Sequence, residues 1–223
     1  MDDKTKATVR ALLDLHPRGY AGELGIQVTK SPKGLFRLLC LAILADDTAP
    51  SESIGVAMRA LGERGLDSAP EVAQASEEER ADLLREAGYG RAAEAAQWLH
   101  EVAELVIDRY DGDLNNLLDE ADGDHDKVRA ALDEFAGVDE AGIGVFLREV
   151  QMVRPDVAPF ADDGALAAAK RLGLPTDARE LMDDVARGQR NEELANLVGA
   201  LALVEARDEY DEVTKRAGSP SAN

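Results

Sequence analysis

Apolar residues recur along this chain at spacings of three and four, the period at which a helix buries one face. From Thr5 to Leu15 they fall at Val9, Leu12, Leu13 and Leu15, and Pro17 and Gly19 stop the pattern. Gly19 to Thr29 reads as a loop or a short extended piece. Ser31-Pro32 then supplies an N-cap with Pro at the first helical position. The run that follows, Leu35 to Ala45, is apolar almost all round, which predicts a helix at the centre of a core. A polar break, Asp46 to Pro50, leads into a helix from Glu52 to Leu61. Two helix starts come next, Ser68-Ala69-Pro70-Glu71 and Ser76-Glu77-Glu78-Glu79, the second with the spacing of a capping box.

Leu83 to Ala87 ends at Gly88-Tyr89-Gly90, and Arg91 to Tyr110 is the longest helical pattern. Ala92, Ala95, Leu99, Val102, Leu105 and Val106 form its apolar side, with Trp98 and His100 as packing or surface residues. Asp113 to Leu118 is a short helix. Asp126 to Phe135 and Ala141 to Val153 are two arms around a bend at Gly137, where a missing Cβ lets helices pack closely. Asp163 to Leu172 and Asp177 to Ala186 follow, Asn191 to Val213 closes the chain as one helix, and Gly218 to Asn223 frays. Period-2 alternation is absent wherever β-branched residues cluster. The fold class is all-α, with about ten to twelve helices.

The 223 residues suffice for one large domain or two interlocked small ones, and 45% apolar content excludes wholesale disorder. No run approaches the ~18 apolar residues of a membrane span. The opening Met1-Asp2-Asp3-Lys4 is acidic and polar rather than a secretory signal, so a cytoplasmic protein is expected. The one cysteine, Cys40, sits in Leu38-Leu39-Cys40-Leu41 and reads as a buried hydrophobe.

Charge changes the picture. Asp and Glu number 45 against 25 Lys and Arg, a net of −20. The excess peaks in residues 101–140, with 14 acidic and 3 basic side chains, whereas residues 1–40 carry 7 basic and 4 acidic. Nucleic-acid binders usually present a basic face, because phosphate neutralisation supplies much of their affinity. Either a salt-rich cytoplasm screens this acidic surface, or the chain does not touch nucleic acid.

Two stretches carry the candidate chemistry. One is Phe135-Ala136-Gly137-Val138-Asp139, between the hairpin arms. The other is Pro159-Phe160-Ala161-Asp162-Asp163, running into a small-residue helix that ends Lys170-Arg171-Leu172-Gly173-Leu174-Pro175. In this order they resemble the helix-hairpin-helix DNA glycosylases, the endonuclease III superfamily. That family reads Leu-Pro-Gly-Val-Gly-Arg-Lys-Thr-Ala, then Val-Asp-Thr-His-Val, then Arg-Leu-Gly. The resemblance spans residues 32 to 186. It implies an endonuclease III-like fold of two helical halves with a cleft between them.

The resemblance also implies roles. Gly137, Val138, Asp139 and Gly142 become the DNA-contacting hairpin, whose backbone N–H groups would point at a phosphate, often through a bound cation. Asp139 stands where the family has its second Gly, and a carboxylate there repels phosphate unless a cation intervenes. Ala141 replaces the Schiff-base Lys, which implies a monofunctional glycosylase without β-lyase activity. Asp162 becomes the catalytic carboxylate, at the family's spacing from Arg171-Leu172-Gly173, while the family's Asp-Thr-His is Asp162-Asp163-Gly164 here. Asp46 takes the place of the Gln that fills the hole left by a flipped base, and Gly88-Tyr89-Gly90-Arg91-Ala92 resembles the Gly-Leu-Tyr…Lys-Ala junction. One cysteine cannot build the four-Cys iron–sulfur loop of many members. No cofactor is expected, with a hairpin cation as the exception.

Plainer accounts exist for each mark. Helix hairpins often bend at Gly, and Asp is a favoured N-cap. Asp111-Gly112-Asp113-Leu114-Asn115 with Asp119 and Asp122 comes near calcium-loop spacing, but its sixth place is Asn116 rather than Gly and its last is Asp122 rather than Glu, so a solvated acidic loop is the better account. His16, His100 and His125 are scattered and suggest no zinc site. The expected organisation is an N-terminal segment (1–35) packing with the C-terminal helices, a bundle (36–150) holding the helix-hairpin-helix (125–153), a C-terminal half (151–214) and a disordered tail (215–223).

Two functions follow. One is a monomeric, monofunctional base-excision-repair glycosylase acting on double-stranded DNA, with Asp162 at the mouth of the cleft. The other is a catalytically inactive DNA-structure binder or protein-interaction domain. A basic patch of Lys30, Lys33, Arg37, Arg148, Arg154 and Lys170 around Asp162 would favour the first.

Overall fold

A computed structural model describes residues 2–45, 51–185 and 190–218. Fourteen helices and no strand occur among the described residues. Two compact units divide the chain, Leu24–Val150 and Met1–Glu23 with Gln151–Asn223.

The unit Leu24–Val150 is built on α3 (Pro32–Leu44). Ser31 Oγ accepts from the Gly34 N–H at 3.1 Å, so the helix begins where the Ser-Pro pair predicts. Every residue from Leu38 to Leu44 is buried, because this apolar-all-round helix has no polar stripe to turn to water. Around it stand α4 (Ser51–Glu63), α5 (Ala69–Gln74), α6 (Glu77–Glu86), α7 (Ala92–Tyr110), α8 (Leu114–Ala121), α9 (His125–Leu132) and α10 (Glu140–Val150). On α7, Leu105 is only partly buried, and Ala96 and Ala103 complete the face instead.

Ser76 caps α6 as expected, accepting from the Glu79 N–H at 3.1 Å, but the Glu79 carboxylate is engaged by Arg64 Nε at 2.7 Å. Buried Arg80 donates to the carbonyls of Val72 and Ala75 at the C-terminal end of α5 and to that of Ala96 on α7, bracing the two helices. Asp46 to Pro50, including the place matched to the family's Gln, lies outside the described residues.

The second unit holds α1 (Asp3–Leu15), α2 (Gly19–Glu23), α11 (Asp163–Leu172), α12 (Ala178–Val185), α13 (Arg190–Arg207) and α14 (Tyr210–Gly218). Val9 and Leu12 from one end of the chain share a core with Leu194, Leu197, Leu201 and Val204 from the other, and Ala165, Ala168 and Ala169 of α11 complete it.

Two sequence expectations are corrected here. Residues 19–23 form a helix rather than a loop, pressed so closely on α13 that a Cβ at Gly199 would lie 2.7 Å from the Tyr20 nitrogen. Such a short element, holding Gly19 and Gly22, takes its helicity from tertiary packing rather than propensity. The closing helix is also broken in two. Asp208 adopts a left-handed φ of 51°, and the Glu209 N–H returns to the Val204 carbonyl at 3.1 Å, a Schellman-type stop made without glycine. That turn brings Glu209 Oε2 to 2.6 Å from buried His16 Nε2, so His16 is a packing residue of this unit. No helix among the described residues is long and apolar enough to cross a membrane.

Candidate nucleic-acid interface and candidate catalytic carboxylate

The hairpin is set by packing within the unit Leu24–Val150. Gly137 has a φ of +78°, and a Cβ there would meet the Trp98 ring carbons at 2.6 Å. The left-handed backbone strains any residue with a side chain, and the Trp98 ring leaves no room for its Cβ. Trp98, a partly buried residue of α7, is therefore the floor of the turn, and Arg91 stacks 4.4 Å from its ring centroid. Phe135 enters the core edge-on to Tyr110, with centroids 6.4 Å apart. Buried Val138 donates its N–H to the Phe135 carbonyl at 3.1 Å.

Asp139 has a structural task that the loss of the family's second Gly did not suggest. Its carboxylate accepts from the Gly142 N–H at 2.9 Å and its carbonyl from the Ile143 N–H at 2.8 Å, so it caps α10. Gly142 itself is buried against α3, where a Cβ would lie 2.4 Å from the Ala42 carbonyl oxygen. Its N–H is thus spent on the cap and its missing side chain on the helix crossing. Arg129 of α9 pairs with Glu140 of α10, and Arg109 of α7 pairs with Glu134 at the end of the first arm. Gly137, Val138 and Asp139 share one turn, and Gly142 follows in the first turn of α10.

Asp162 belongs to the other unit. It is the N-cap of α11, with extended backbone (φ −77°, ψ 166°), and its Oδ1 accepts from the Ala165 N–H at 3.0 Å. It is half-buried, whereas Asp163, the first helical residue, is exposed. A carboxylate at this place meets the positive end of the helix dipole and the first-turn N–H groups.

The Arg-Leu-Gly run ends the same helix. Gly173 takes a φ of +73°, and the Leu174 N–H returns to the Ala169 carbonyl at 2.8 Å. Arg171 stacks 3.7 Å over the Tyr210 ring and pairs with Asp208 at 3.3 Å, tying α11 to the α13–α14 junction.

Sequence reasoning passed over Gln151. Fully buried just past α10, it donates to the Phe160 carbonyl and accepts from the Phe160 N–H, both at 2.9 Å. The legible signal was one uncharged amide directly after the buried run Gly142 to Val150.

Three of the six cations expected to form a patch are paired with carboxylates. Arg148 is buried with its Nε 3.3 Å from Glu149, and Arg154 is buried with a bidentate pair to Asp156 at 2.9 and 2.7 Å. Lys33 Nζ lies 2.8 Å from Asp67. Lys30 and Lys170 are exposed. In the acidic loop near calcium spacing, the Asp113 carboxylate caps α8 through the Asn115 N–H at 2.9 Å. Among the described residues no group of three or more His, Cys, Asp or Glu is placed to hold a metal ion.

Helix order and packing define the class of fold: an all-α chain similar to endonuclease III. One solved structure that carries the likeness is described as a trapped endonuclease III–DNA covalent intermediate, an estranged-adenine complex. The match has a TM-score of 0.55 at 16% identity, covering 92% of this chain and 86% of that one. No family model matches the chain, and no curated protein matches it by sequence.

Proposed function

We propose that this chain is a monofunctional DNA N-glycosylase in which Asp162 is the catalytic carboxylate. The observation that carries the reading is a half-buried carboxylate held at the N-terminus of α11, in a chain whose fold is that of endonuclease III. As the N-glycosidic bond of a flipped base lengthens, the base departs with the bonding electron pair and the sugar gains oxocarbenium character. An ionised carboxylate stabilises that charge and takes the proton of the water that adds to the sugar carbon. Ala141 supplies no amine, so no Schiff base forms there and strand cleavage does not follow. The turn of Gly137, Val138 and Asp139, seated by Gly142, would meet a phosphate of double-stranded DNA, with a cation between phosphate and Asp139. The single cysteine is buried in α3, so the residues do not fit a four-cysteine cluster, and no step runs through one.

The test is single-turnover excision from duplexes holding uracil, a thymine mismatch, oxidised bases or alkylated bases, at low and molar KCl. Asp162→Asn keeps an oxygen for the Ala165 N–H yet removes the charge, so excision falls on the order of a hundredfold or more while stability changes by less than about 0.5 kcal/mol. Asp163→Asn is mild. Loss at Asp163 alone moves the site by one residue and sinks the assignment. Borohydride traps no adduct with abasic DNA, and a trapped adduct refutes the monofunctional reading.

A second reading draws on the pairing of Lys33, Arg148 and Arg154 with carboxylates, which lowers the positive charge available to phosphates. In it the fold is kept without chemistry, as a DNA-structure binder or protein-interaction domain. A parent protein that excises nothing from any of the duplexes selects that reading.

A further inference from the structure

The loop that delivers the chain to Asp162 runs from Gln151 to Phe160, and the Gln151 side chain bridges its two ends. Gln151 is fully buried, and its amide forms a two-bond ring with Phe160, giving an N–H to the carbonyl and taking the backbone N–H, each at 2.9 Å. With both backbone polar groups of Phe160 engaged, the peptide planes on either side of that residue are fixed. Only Ala161 separates them from the carboxylate that caps α11. The rest of the loop is braced to match. The Arg154 guanidinium grips Asp156 through two bonds, the Val157 N–H returns to the Arg154 carbonyl at 3.0 Å, and Val157 and Phe160 are buried.

A glutamine has no other means of serving a buried site so completely. Its amide matches a peptide group in shape and carries one donor and one acceptor side by side. Glutamate would lose the donor, leucine both bonds, and asparagine the reach to hold both. The amide is thus selected for two simultaneous bonds to one backbone residue.

We infer that Gln151 is the positioning residue for Asp162: its amide sets the place at which the carboxylate is presented at the start of α11. The inference rests on the glycosylase reading for its consequence in catalysis, but the positioning itself is measurable without any substrate. Amide hydrogen exchange is read in Gln151→Met, which fills the same space without the two bonds, and in Gln151→Asn, which can keep one. The reporter is the Ala165 N–H, which donates to Asp162 at 3.0 Å. In Gln151→Met its exchange rises about tenfold relative to the amides of Ala168 and Ala169 inside the helix, with Gln151→Asn between the two.

Under the glycosylase reading, the single-turnover excision rate of Gln151→Met falls about 10- to 100-fold while DNA affinity moves less than about twofold, as expected for a misplaced reacting group. Added to Asp162→Asn, the same substitution costs nothing further. If only the Phe160 amide loosens, with Ala165 unchanged and excision at the parent rate, Gln151 merely closes the loop and the inference is overturned. A parent that excises nothing overturns the glycosylase reading alone, because the Ala165 exchange still decides the role of Gln151. Should Gln151→Met fail to fold, Gln151→Asn carries the same comparison.

Discussion

Replacing Gly142 by Ala isolates how closely α3 and α10 cross. In an exposed helix this change stabilises, since Ala is favoured over Gly by about 1 kcal/mol. At Gly142 the added Cβ would stand 2.4 Å from the Ala42 carbonyl oxygen, about an ångström short of ordinary van der Waals contact. The obstacle is backbone of the buried helix α3, so no flexible side chain can swing away. Relief requires α10 to lift from α3. A gap of 0.5–1 Å forfeits roughly a quarter to a half of the dispersion energy of each contact it opens, and Ile143, Phe146 and Leu147 are all buried on α10. Overpacking against backbone falls at the upper end of the usual cost, about 2–3 kcal/mol, which propensity offsets only in part. The net expectation is a loss of about 1–2 kcal/mol, or several degrees in melting temperature for a chain of this size. Urea unfolding in molar KCl, compared with Gly62→Ala as a helical control whose Cβ has its nearest neighbour at 3.9 Å, measures it. A Gly142→Ala protein as stable as the parent would refute the close crossing.

Gly137→Ala suffers twice, from a left-handed backbone and from overlap with Trp98, and loses about 2–4 kcal/mol. Because Trp98 is the only tryptophan, its fluorescence reports the displaced turn directly, and an unshifted emission maximum contradicts the packing. With a net charge of −20, the melting temperature rises between 0.1 and 1 M KCl as the screening length shrinks from about 10 Å to about 3 Å; a fall would show that repulsion is not limiting. Burial pushes the Cys40 thiol up to about 12, so the native protein gives no reaction with Ellman's reagent at pH 8, and unfolding in denaturant releases one thiol per chain. A native protein that reacts promptly removes Cys40 from the core.

Local rules made much of the architecture readable. Ser31, Ser76 and Asp162 all cap helices because a short polar side chain before an apolar run binds its N–H groups wherever the helix ends up. The bounds of α11, Asp163–Leu172, were legible from Asp at one end and Gly173 at the other, as both signals lie within a turn of the helix they delimit. The all-α class followed from periodicity, and the endonuclease III likeness from the order of two short motifs. What escaped depended on partners far along the chain. Residues 19–23 are helical because Gly199 lets α13 come close, and the break at Asp208 carries Glu209 to His16, 193 positions away in sequence.

The hairpin divides along the same line. That the chain bends at Gly137 is written in its sequence, but the reason no other residue fits is Trp98, 39 positions earlier. Asp139 looked like a departure from a phosphate-binding turn, and its cap on Gly142 became visible only with the α10 start in place. Arg148 and Arg154 read as available cations because sequence records charge and not the carboxylate beside it. Burial and pairing are properties of the fold, and they turned two members of an expected basic patch into internal braces.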